Sequence, residues 1–148
     1  MRFPLEVPCF RHGCHIEPQC PLCTIDVEFV DHLFWTCCKT QRVWNLAAQH
    51  HWLPAYLMSR FNHDWLRSFG KINELCSLKE VQKLSFLLWT IWKGRNAVIF
   101  ENENFNPIAC LIKAKRAYAE WRIRNCLSVD DYYTGRPFGP VSKNKIVR

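Results

Sequence analysis

Cys20, Cys23, His32 and Cys37 stand in the pattern C-x2-C-x8-H-x4-C, three thiols and one imidazole within eighteen positions. This is the donor set of a closed tetrahedral zinc site: CxxC is the tight turn that aims two sulfurs at one ion, and a second pair a loop away completes the tetrahedron. A segment closed in this way draws its folding energy from the metal. Cys38 adjoins Cys37, and Cys9, Cys14 and His15 lie upstream, so a set in which Cys14 or Cys38 replaces one ligand stays open at this point. His32 and Cys37 are five residues apart, about 140° around an ideal helix. They cannot share a face of a straight helix, so His32 belongs in the turn before the following helix or in a distorted first turn.

The elements that must position these residues are mainly helical. Residues 1–8 read as a proline-bracketed lead-in, and residues 9–49 as the zinc module, in which Pro18 and Pro21 oppose helix around the CxxC. A helix over about 33–49 presents Val43, Leu46 and Ala47 as an apolar stripe, with Leu33 and Trp44 at its edge. Residues 50–77 hold many aromatics, but Pro54 and Gly70 interrupt any single period, which predicts an irregular or broken-helix connection. The longest helical segment, within a helical region spanning 78–127, is 78–103. It is apolar nearly all round, with Val81, Leu84, Leu88, Ile91, Trp92 and Val98 on one side and Phe86, Trp89 and Phe100 on the other. Such a helix is expected at the centre of its domain. Gly94 within it points to a bend or a close contact. Asn106-Pro107 is a helix start. The helix it opens is expected to run to about Cys126, with Leu111, Ala114, Tyr118 and Trp121 inward and Lys113, Arg116, Glu120 and Arg124 outward. From Ser128 to Arg148 the chain reads as a flexible tail.

Composition sets the class. With 49% hydrophobic and 14% aromatic residues the chain is too apolar to be disordered, so a packed core is expected. The N-terminal residues lack the apolar run of a signal peptide. Leu84–Trp92 is about half the ~20 residues that a membrane-spanning helix needs. Nine cysteines, an odd number, with a histidine between CxxC and the last cysteine fit a reducing intracellular compartment better than a disulfide scaffold. The net charge of +7 is unevenly spread. Residues 9–49 are slightly acidic, whereas 78–127 carry nine Lys/Arg against four Glu, so a charge-led nucleic-acid footprint would lie away from the metal.

Cys20-Pro21-Leu22-Cys23, Glu28, His32-Leu33-Phe34, Cys37 and Val43-Trp44 together resemble the zinc-binding reverse transcriptase domain of plant LINE-type (non-LTR) retrotransposons. Leu88-Trp89-Thr90-Ile91-Trp92-Lys93-Gly94-Arg95-Asn96, with Ile99-Phe100-Glu101, is similar to the tryptophan-rich helix that commonly follows that domain. The resemblance covers about residues 10–126. It implies a Zn2+-binding domain that follows the polymerase and often precedes a ribonuclease H domain in a polyprotein, and a nuclear location. It carries Cys20, Cys23, His32 and Cys37 over as ligands. Trp44, seven residues after Cys37, favours Cys37 over Cys38, although Cys38 stands where members often have proline.

Catalysis is not expected. Asp130-Asp131 has no strand or third carboxylate with which to hold a polymerase metal pair. His50, His51 and His63 have no nucleophile beside them. Cys76, Cys110 and Cys126 sit among apolar neighbours and read as core. The expected fold is therefore mainly α, a small Cys3His zinc module followed by a Trp-rich helical region. Its expected role is accessory RNA or DNA binding through Lys93, Arg95, Lys113, Lys115, Arg116, Arg122 and Arg124. The alternatives are packing against other domains of the parent polyprotein, or a degenerate fragment without function.

Overall fold

The computed structural model describes residues 18–63 and 65–133. They are mainly α-helical, with the Cys/His cluster ahead of the helices, and contain no strand, only an isolated antiparallel bridge between Gln19 and Val27. A π-helical turn, His32–Thr36, leads into α1 (Cys38–Gln49). Three short helices follow: α2 (Ala55–His63), α3 (Trp65–Gly70) and α4 (Ile72–Leu75). They are the broken connection expected, with Pro54 just before α2 and Gly70 at the end of α3. Then come α5 (Leu78–Phe100) and α6 (Pro107–Tyr133).

The long helices start where their side chains can satisfy free backbone N–H groups. Ser77 caps α5: its Oγ accepts from the Glu80 N–H, and Glu80 Oε2 accepts from the Ser77 N–H at 2.7 Å, closing a capping box. Asn106 Oδ1 accepts from the Ile108 and Ala109 N–H groups at 2.9 and 3.1 Å, as the Asn-Pro start implies. α6 runs past Cys126 to Tyr133, so residues 128–133, expected in the tail, are helical. No glycine or proline occurs between Pro107 and Gly135, and nothing in the backbone stops the helix before then.

The described residues divide into two compact units between Tyr118 and Ala119. In the first, one core joins Leu33, Trp35, Val43, Trp44 and Ala47 to Leu57 and Phe61 of α2, to Leu84, Leu87 and Ile91 of α5, and to Leu111 and Ala114 of α6. Trp35 is stacked between Trp44 and Phe61, with ring centroids 5.0 and 5.2 Å away. Cys76 and Cys110 are buried in this core, as expected. α5 departs from expectation. Leu84, Leu87, Thr90, Ile91 and Arg95 are buried and Val81, Leu88, Trp92 and Val98 half-buried against the core, while Trp89 and Phe100 are 57% and 65% exposed. In the second unit Trp121, expected inward, is 36% exposed, and Asn125 Nδ2 donates to its carbonyl.

Gly94 marks a close contact. A Cβ there would lie 2.7 Å from the Phe105 ring, which the chain between α5 and α6 folds against the helix. Alanine would gain about 1 kcal/mol of helix propensity, but the clash would cost about 1–3 kcal/mol. Gly94→Ala is therefore expected to destabilise the protein, and to stabilise it when Phe105 is already alanine. Denaturant melts of the single and double variants measure this reversal of sign.

The lead-in, Cys9, Cys14, His15 and the tail beyond Tyr133 lie outside the described residues, as do the side chains of His63, Cys126, Asp130 and Asp131. No helix among the described residues is long and apolar enough to cross a membrane.

Candidate metal centre

The knuckle at residues 18–28 is held by its backbone. The Cys20 N–H donates to the Asp26 carbonyl at 2.8 Å, the Glu28 N–H to the Pro18 carbonyl at 2.9 Å, and the Thr24 N–H to the Cys20 carbonyl at 2.8 Å. The tight reversal after Cys23 puts Thr24 in the left-handed region at φ 57°. That conformation is costly for a β-branched residue. Its Oγ1 donates to the Cys23 carbonyl at 2.7 Å, which partly offsets the cost.

The second half of the centre depends on the π-helical turn. The Cys37 N–H donates to the His32 carbonyl at 2.7 Å, a bond across five residues. An α-helix would leave these residues about 140° apart, and the wider turn brings them back toward one face. Insertions of this kind recur at functional sites. Cys37 then stands at the N-terminal end of α1, where Thr40 Oγ1 donates to its carbonyl at 3.0 Å.

Cys20, Cys23, His32 and Cys37 converge, their donor atoms all within 4.8 Å of one another. Cys20 and Cys37 are wholly buried, and Cys23 and His32 nearly so. The Cys20 and Cys37 sulfurs are 3.9 Å apart, and Cys23 Sγ is 3.4 Å from His32 Nε2. Thiolate bonds of about 2.3 Å and an imidazole bond of about 2.0 Å imply tetrahedral edges of roughly 3.5–3.8 Å. The cluster fits a metal ion of that size.

Neighbouring groups prepare the donors. His32 Nδ1 lies 3.2 Å from Thr36 Oγ1 and 3.9 Å from an Asp26 carboxylate oxygen. Acceptors on that side favour a proton on Nδ1 and leave Nε2 free as the ligand atom. The Cys37 thiol is lowered, first by the hydrogen bond from Cys20 and then by the N–H groups of Thr40 and Lys39, with burial opposing. The same hydrogen bond raises the Cys20 thiol, and burial adds to that.

Cys38, the rival to Cys37, is exposed and outside the cluster.

No protein-family model, curated protein or solved structure matches this chain.

The basic candidates are divided between the two units. Lys93, Lys113 and Arg116 are exposed and Lys115 is half-buried in the first unit, while Arg122 and Arg124 are exposed in the second. Arg95 is a correction. It is 5% exposed and is spent on Glu28, with Nη2 2.6 Å from Oε2 and Nε 2.9 Å from Oε1. Its guanidinium also lies over the Trp92 ring, 5.4 Å from the centroid. Arg95 thus ties α5 to the loop between Cys23 and His32 and is not free to meet a nucleic acid. The partners lie 67 residues apart, and no local period in the sequence signals the pair.

Proposed function

We propose that this chain is a structural zinc-binding module of the kind found at the C-terminal end of plant LINE-type retrotransposon polyproteins, with an accessory, non-catalytic role in holding nucleic acid. The convergence of four buried protein donors within 4.8 Å carries the metal part of this reading. Three thiolates and an imidazole suit zinc, and four protein ligands leave it no open position for water or substrate. Such a site staples a fold and does no chemistry. The ordered motifs around it support the retrotransposon origin. On that origin the chain acts in the nucleus, a reducing compartment in which the thiolates stay available to the metal.

The nucleic-acid part rests on the exposed cations Lys93, Lys113, Arg116, Arg122 and Arg124, with Lys115 beside them. Purified protein is expected to carry one zinc per chain by metal quantification. It is also expected to bind single-stranded RNA with an affinity that falls steeply as salt rises. Lys115→Ala combined with Arg116→Ala should weaken that binding. The second reading, packing against another domain of the polyprotein, is favoured by Ile108 and Ile112, one turn apart on α6 and 60% and 45% exposed. Absence of RNA binding at low salt would leave that reading standing.

A further inference from the structure

Trp35 and Trp44 are in the core, and Trp52 and Trp92 are half-buried, but Trp89 presents more than half its surface to solvent. It does so in a groove of about 540 Å³ lined by residues of α5, the connection after it and the start of α6. Gly94, Ala97 and Ala109 line this groove without projecting far into it. Lys93 and Lys113 line it as well. Lys93 Nζ lies 5.4 Å from the Trp89 ring centroid, and no other ring or cation contacts that ring among the described residues. Glu101 and Glu103 also line the groove, next to the connection.

We propose that this groove is a single-stranded nucleic-acid subsite, in which one base stacks on Trp89 and its flanking phosphates meet Lys93 and Lys113. The inference rests on the nucleic-acid reading above and adds the base contact and the strand's path. An exposed indole offers a π-face that any base can use, and lysines beside it supply the phosphate attraction. Lys93 covers one side of the indole, so the base takes the other. Glu101 and Glu103 repel phosphates, so the strand leaves the groove away from the connection between the helices. A duplex is excluded because its bases are already stacked within it.

The test uses the zinc-loaded full chain and a labelled twelve-nucleotide uridine RNA, read by fluorescence anisotropy over a salt series. Duplex RNA of equal length and polyglutamate serve as competitors. The single strand should bind in preference to the duplex. Trp89→Ala and Trp89→Leu should each weaken binding about ten- to a hundredfold with the salt slope unchanged, and Trp89→Tyr should keep most of it. Lys113→Ala should reduce the slope by about one. Circular dichroism confirms that each variant is folded, and leucine keeps an apolar helix former at the site should alanine fail. RNA binding that ignores Trp89 would overturn this subsite and leave the proposed function standing. Displacement by polyglutamate with the same Trp89 dependence would overturn it in favour of an acidic peptide. No RNA binding at low salt would overturn both.

Discussion

Removing the metal, by chelation or by Cys23→Ser, is expected to unfold the first unit. Cys20, Cys23 and Cys37 belong to the same buried cluster as Leu33, Trp35, Val43 and Trp44, so the metal's ligands are also core residues. Structural zinc contributes on the order of 10–16 kcal/mol, against a typical net stability of about 5–15 kcal/mol. Losing the metal would remove most or all of the margin. It would also leave the buried Cys20 and Cys37 sulfurs 3.9 Å apart with no ion between them. Far-UV circular dichroism should show loss of the helical signal with chelator and its return when zinc is restored. Cys38→Ser should change neither zinc content nor melting, because Cys38 is exposed and outside the cluster. Binding requires deprotonated ligands, so apparent metal affinity should fall as pH falls. The raised Cys20 thiol must give up its proton on loading, and isothermal titration in buffers of different ionisation enthalpy would register that release. A metal-free protein that melts cooperatively and ignores chelator would refute the assignment.

Arg95→Met is expected to destabilise the folded protein by about 3–5 kcal/mol, because it strands the Glu28 carboxylate in a site where its side chain is 1% exposed. Glu28→Gln should cost less than Arg95→Met, since the amide oxygen still accepts from the guanidinium. Replacing both partners, as Glu28→Leu with Arg95→Met, should recover much of the loss, because a buried ion pair gains little over an apolar pair of similar shape. Denaturant melts of the zinc-loaded single and double variants give the coupling directly. Glu28 sits in the loop between Cys23 and His32, so Arg95→Met should also make zinc easier to extract by a competing chelator. Equal stability of the Arg95→Met and wild-type proteins would show that the pair contributes nothing.

Much of the architecture was legible because it is locally encoded. The connection over 50–77 breaks where Pro54 and Gly70 stand, and Asn106-Pro107 opens α6. Ser77 and Glu80 form a capping box that the sequence spells out in the spacing S-x-x-E and that also marks the start of α5. The geometric conflict between His32 and Cys37 was legible too, since five residues do not close on one face of an α-helix. Its resolution by a π-helical turn was not, because that wider turn is held by backbone bonds and has no residue signature of its own. Burial around α5 was misread for a different reason. Its apolar residues surround the helix, and the first unit covers most of them, Phe86 included by Tyr118, but leaves Trp89 and Phe100 exposed.

The sequence by itself determined the residue types of the Cys3His cluster and their order, the helical class and the separation of charge from the cluster's segment, because each depends on residue identity and short-range spacing. Only the tertiary structure decided that Arg95 belongs to Glu28 and that Trp89 stands open in a groove. Each of those depends on which distant surfaces meet. Apolar burial sets that outcome collectively, and neither a motif nor a period records it.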